Sequence, residues 1–74
     1  MWKKTTVPLN ILPETITKLK LAITNGDSTL EQLRCVYKTK NEHIIQYLSP
    51  WDFIDNVKDI ENIQEFYLYR WELK

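Results

Sequence analysis

Leu33-Arg34-Cys35-Val36-Tyr37-Lys38-Thr39-Lys40-Asn41-Glu42-His43-Ile44-Ile45-Gln46-Tyr47-Leu48-Ser49-Pro50-Trp51-Asp52 is the stretch that decides the fold. Two runs rich in β-branched and aromatic residues, 32–39 and 42–48, flank the polar pair Lys40-Asn41 and read as a hairpin. With Lys40-Asn41 as a two-residue turn, Leu33, Cys35 and Tyr37 lie opposite Leu48, Gln46 and Ile44 on one side of the ribbon. Arg34, Val36 and Lys38 lie opposite Tyr47, Ile45 and His43 on the other. The first side is the expected core face and the second is amphipathic. Immediately behind the hairpin, Ser49-Pro50-Trp51-Asp52 is a helix start. Ser49 suits the cap, Pro50 the first helical position, and Asp52 complements the positive helix end. Phe53, Ile54, Val57 and Ile60 then form an apolar stripe with Asp52, Asp55, Asn56 and Asp59 facing away, which predicts a helix over 50–60.

The flanks extend this pattern. Residues 65–73 alternate, with Phe66, Leu68, Arg70 and Glu72 on one side and Tyr67, Tyr69, Trp71 and Leu73 on the other, as a closing strand. Residues 2–7 read as an edge strand that Pro8 ends, because proline cannot donate to a ladder. Between Pro13 and Gly26, two periods compete. Leu12, Ile16, Leu19 and Ile23 recur at helical spacing, whereas Leu19, Leu21 and Ile23 alternate ahead of Asn25-Gly26, a favoured hairpin turn. Helix is the preferred reading, since Pro13 and Glu14 suit a first turn and Gly26 suits a stop. The expected architecture is one α+β domain spanning 1–74 in β-α-β-β-α-β order, a split βαβ sheet with both helices on one face. The alternative is a β-rich meander with one helix.

Composition narrows the function classes. The 74 residues are 43% hydrophobic and 27% charged, with ten basic and ten acidic side chains that cancel. A chain of this size forms one small domain that buries roughly 60% of its unfolded surface. The balance excludes a disordered tail and a strongly basic nucleic-acid binder. No apolar run approaches the ~18 residues of a membrane span, and no apolar segment follows the basic N-terminus to make a secretory signal. Cys35 is the only cysteine and His43 the only histidine, so neither an intramolecular disulfide nor a four-ligand Cys/His zinc site can form. A cytoplasmic location without membrane contact, cofactor or metal is the expectation. Eight Lys against two Arg, with eight Ile and a single Ala, is the usage of AT-rich DNA, as in low-GC bacteria, their phages and some archaeal viruses. The charges are uneven, +4 over residues 1–40 and −4 over 41–74. Zero net charge also removes the repulsion that keeps copies apart, so a homodimer is among the expected assemblies.

Catalysis finds little to work with. Cys35 and His43 fall about 10 Å apart along the hairpin and on opposite faces, too far for a nucleophile and its base. A single glycine leaves no phosphate-cradling loop. Asp52, Asp55 and Asp59 share a face that reads as solvated rather than metal-binding. No catalytic residue is assigned and an enzyme is not expected.

Binding finds more. Tyr67, Tyr69 and Trp71 project from one strand, and Arg34, Lys38, His43 and Tyr47 from one side of the hairpin. Aromatic and Arg residues carry most binding energy at protein interfaces, and three Trp with four Tyr are many for one small core to seal. The leading expectation is a small interaction protein that binds and modulates another protein, as an inhibitor encoded by a phage or mobile element would. It uses Arg34, Lys38, Tyr47 and part of the Tyr67/Tyr69/Trp71 row, with Asp52, Asp55 and Asp59 as a second, acidic surface. The alternative is a nucleic-acid- or nucleotide-binding regulatory module in which bases stack on the row while cations hold phosphate. Against the alternative stand the −4 charge of the second half and the need of so short a chain to place most of its aromatic row under the helices as core.

Leu21-Ala22-Ile23, Leu33 to Tyr37, Asn41-Glu42, Ser49-Pro50 and Phe66-Tyr67-Leu68 together resemble the skeleton of a WYL-type sensor domain, a helix followed by an Sm-like meander. The resemblance covers residues 21–69. It implies a regulatory role with nucleotide or nucleic-acid binding, and carries a pocket role to Tyr67 and Tyr37. The chain departs from that pattern in having Gln46, Tyr47 and Leu48 where a basic residue precedes the Pro, and Phe66 in place of the Trp.

Overall fold

A computed structural model describes residues 1–73. The strands β1 (Trp2–Val7), β2 (Leu33–Thr39), β3 (Ile44–Tyr47) and β4 (Ile63–Trp71) form one antiparallel sheet in the order β1-β4-β2-β3. Helices α1 (Leu12–Thr24) and α2 (Pro50–Asn56) follow β1 and β3, and short 3-10 turns precede α1, β2 and β4. The fold is therefore a small α+β domain in the β-α-β-β-α-β order that the sequence predicts. Pairing β1 with β4 and β4 with β2 makes the closing strand central, with β1 and β3 at the edges.

Between Pro13 and Gly26 the helical period wins, as α1 over Leu12–Thr24. Leu12, Ile16 and Leu19 are buried on its inner face, with Pro13 in the first turn. Asn25 keeps a helical φ of −81° and only Gly26 is left-handed, at +70°, whereas the competing hairpin turn needs both positive. The Gly26 N–H bonds Ile23 O at 3.1 Å and the Asp27 N–H bonds Ala22 O at 3.0 Å, which closes the helix and satisfies two of its last carbonyls. In α2 the Ser49 hydroxyl accepts from the Asp52 N–H at 3.3 Å, as the cap sequence predicts.

Two expectations need correction. The hairpin turn holds three residues, not two. Thr39 N–H donates to His43 O at 2.9 Å and Glu42 N–H to Thr39 O at 2.9 Å, while Glu42 takes the left-handed position with φ 66°. The register therefore slips by one, to Cys35↔Tyr47, Tyr37↔Ile45 and Lys38↔Ile44, and a one-residue slip turns every β3 side chain to the other face. Helix α2 is also shorter than the apolar stripe suggests. Val57 is extended and Asp59 is left-handed with φ 54°, so Ile60 belongs to the turn before β4 and not to the helix.

Both helices cover one face of the sheet. Leu12, Ile16, Leu19 and Phe53 meet Val7, Leu33, Cys35, Tyr37, Ile63 and Phe66 in a single core. Phe53 is its pivot, with its ring centroid 5.2 Å from Phe66, 5.8 Å from Tyr47 and 6.2 Å from Tyr37. No helix of the described residues is long and apolar enough to cross a membrane.

Candidate nucleic-acid interface

Strand alternation and register define the face that no helix covers. Trp2, Lys4 and Thr6 of β1 stand level with Trp71, Tyr69 and Tyr67 of β4. Tyr69, Tyr67 and Glu65 stand level with Arg34, Val36 and Lys38 of β2, and Val36 and Lys38 with Gln46 and Ile44 of β3. Four rings and three cations thus share one surface.

The placement corrects the reading of the aromatic row as core. Phe66 and Leu68 turn inward from β4, so Tyr67, Tyr69 and Trp71 must turn outward. The core closes without them because α1, α2 and the inward side of β2 supply enough apolar area. Tyr47 is corrected in the other direction. The register slip carries it off this face and into the helix layer, stacked on Tyr37 at 6.2 Å. Arg34 and Lys38 stand on the helix-free face as expected. Asp52 and Asp55 lie on α2, on the far side of the sheet, and Asp59 lies beyond the helix end, so these three do not share one helix face. Tyr37 and Tyr67, which the family resemblance pairs in a pocket, project from opposite faces of the sheet.

Trp2, Lys4, Ile44 and Gln46 complete the surface and went unassigned from sequence. Alternation over 2–7 already puts Trp2 and Lys4 on one side of β1, but nothing local says that β1 pairs with β4. Within the surface the cations lie on rings. The Lys4 ammonium sits 4.0 Å from the Tyr67 ring centroid and the Arg34 guanidinium 4.1 Å from that of Trp2, and Trp2 meets Trp71 edge to face at 5.4 Å. These contacts hold long side chains in place at little further cost in entropy when a ligand arrives.

Two shallow grooves run across the strands. One of about 410 Å³ is lined by Trp2, Arg34, Val36, Ile44, Gln46 and Tyr69. The second, of about 290 Å³, shares Val36, Ile44 and Tyr69 and adds Lys4, Lys38, Glu65 and Tyr67. Glu65 is the sole acidic residue in any of the four strands, and its carboxylate accepts from the Tyr67 hydroxyl, which pushes the Tyr67 pKa up. Of the seven acidic residues in 41–74, the other six lie in loops, turns and α2, so Glu65 alone opposes an anion from within this face.

The groups considered for catalysis lie apart from these grooves. Cys35 is fully buried in the core, and burial pushes its thiol up to about 12, so it is protonated at neutral pH. His43 is exposed beside the hairpin turn. Among the described residues no three His, Cys, Asp or Glu side chains gather where they could hold a metal ion.

Comparison with protein-family models, with curated proteins and with solved structures finds no match to this chain.

Proposed function

We propose that the protein is a non-enzymatic binding module that takes single-stranded nucleic acid on its helix-free sheet face. The observation that carries this reading is the segregation of Trp2, Tyr67, Tyr69 and Trp71 with Lys4, Arg34 and Lys38 onto one open surface, while all acidic residues but Glu65 lie off it. Stacking on rings holds unpaired bases without regard to sequence, and cations between the rings hold the phosphates that connect them. The two central strands supply both parts, Tyr67 and Tyr69 from β4 and Arg34 and Lys38 from β2. A duplex hides its base faces, so it loses the stacking share of the affinity.

The test is binding of a labelled single-stranded oligonucleotide, with the duplex of the same sequence as comparison. Preference for the single strand, lost on Trp71→Ala and weakened on Arg34→Ala, supports the reading. Equal or absent binding of both overturns it.

A protein partner is the second reading, favoured by Trp51. This residue is 36% exposed on α2 between Pro50 and Asp52, so an indole of the kind that anchors interfaces sits beside Asp52 and Asp55. That surface suits a basic protein. Asp55→Lys then weakens the complex and leaves the fold intact, since Asp55 is exposed on α2.

A further inference from the structure

The edge of the sheet at β3 is open, uncharged and complementary to itself. Thr39 and His43 form the closing hydrogen-bonded pair of the hairpin, so alternation turns the backbone groups of Ile45 and Tyr47 toward β2 and those of Ile44 and Gln46 outward. No strand pairs with this side of β3, because the sheet ends there. Two of the more exposed apolar side chains of the protein lie at the two ends of this edge, Ile44 at 73% on β3 and Leu48 at 65% in the bend just past Tyr47. Each is two residues from Gln46.

We propose that this edge pairs with the β3 edge of a second copy, antiparallel, about a two-fold axis through Gln46. Carried one residue past Tyr47, that register sets Ile44 opposite Leu48 of the other copy, twice, and covers both pairs at once. It also sets the two Gln46 residues opposite each other as a hydrogen-bonded pair. No charge lies between Ile44 and Trp51, so no like-charged pair forms at the seam. The other edge does not serve. An antiparallel pair of β1 strands brings Lys3 and Lys4 of both copies together, the arrangement that discourages edge pairing. Joining β1 to β3 is head-to-tail and propagates without closing, whereas the β3 pair closes as a dimer. The open face, with Lys4, Arg34 and Lys38 on it, repels its own copy. Pairing at β3 makes an eight-stranded sheet and joins the two Ile44-lined grooves across the seam.

The measurement is mass in solution against protein concentration, without nucleic acid, together with cross-linking of Gln46→Cys under mild oxidant. Opposed residues of a hydrogen-bonded antiparallel pair lie about 5.5 Å apart at Cα, within disulfide reach, and native Cys35 is buried. The expected result is a mass rising from 8.9 kDa toward twice that value. Gln46→Cys should cross-link quickly while Thr6→Cys on β1 does not, and Ile44→Lys with Leu48→Lys should remain monomeric, folded and with a melting temperature that no longer depends on concentration. A wild-type protein that stays monomeric at millimolar concentration, or a dimer that survives the double lysine variant and cross-links through Thr6→Cys, overturns the proposal. Neither result bears on whether a single strand binds the open face.

Discussion

Replacing Arg34 by Ala tests the nucleic-acid reading most sharply, because the structure fixes how many phosphates the face can hold. Lys4, Arg34 and Lys38 are its three cations, so three phosphates is the ceiling. For single strands the logarithm of affinity falls with the logarithm of salt at about 0.7 per neutralised phosphate, which gives a slope of about −2. Raising salt from about 50 to about 200 mM then costs roughly 20-fold in affinity. With Arg34→Ala two cations remain, the slope falls to about −1.4 and the same salt step costs roughly 7-fold. Arg34 also lies over Trp2, so its removal frees that ring. Arg34→Lys separates the two effects by restoring the charge, and with it the slope, without the planar stack. Trp71→Ala perturbs the other component. It removes one stacking surface, costs roughly 5- to 150-fold in affinity and leaves the slope unchanged. Fluorescence anisotropy of a labelled oligonucleotide across a salt series reads all four proteins. A wild-type slope near zero, or an Arg34→Ala slope equal to the wild type, refutes the placement of phosphates on this face.

Three predictions concern the fold that carries the face. Phe53→Ala, which empties the pivot of the core, should cost about 3–5 kcal/mol in urea unfolding, a large share of the roughly 4–11 kcal/mol expected of a chain this size; a loss below about 1 kcal/mol would mean that α2 is not packed as described. Stability should fall as pH rises from 9 to 12. Burial holds Cys35 at about 12 against an ordinary 9.0, and burial with the neighbouring Tyr47 phenol holds Tyr37 at about 12 against 10.0. The unfolded chain therefore loses these protons first and gains on the folded one. Cys35→Ala removes the part that starts near 9, and a flat stability profile through that window counts against the burial. Glu42→Gly should raise stability by about 1 kcal/mol, since a non-glycine residue there holds a φ of 66°, and thermal unfolding showing a loss instead would refute the three-residue turn.

The strands, the helices and their order were legible from local chemistry. Pro13 and Gly26 bracket α1, Ser49-Pro50 starts α2, and alternation from Glu65 onward marks β4, because each of these signals acts within a few residues of itself; the bulge that starts β4 at Ile63 has no such signal. Which residues of β4 share a side was legible too, since a period of two is fixed by the backbone, but not which side the helices cover. What the turn at 40–42 does was not. Choosing a three-residue over a two-residue loop is a small local preference, yet it decides the side on which Tyr47, Ile44 and Gln46 stand. The end of α2 was hidden for a similar reason, as Val57 and Ile60 continue the helical spacing while Asp59 leaves it through a left-handed turn.

The candidate face divides in the same way. Sequence placed Tyr67, Tyr69 and Trp71 together on one side of a strand, and Arg34 and Lys38 together on one side of another. Only the tertiary structure set those sides level, by inserting β4 between β1 and β2. It added Trp2 and Lys4 from a strand more than sixty positions away in sequence and left the whole surface uncovered by packing both helices behind it. Side-chain direction along a strand is a local property of the chain. Which strands become neighbours, and which face of the sheet the helices bury, depends on the free energy of closing one shared core, and no short segment carries that information.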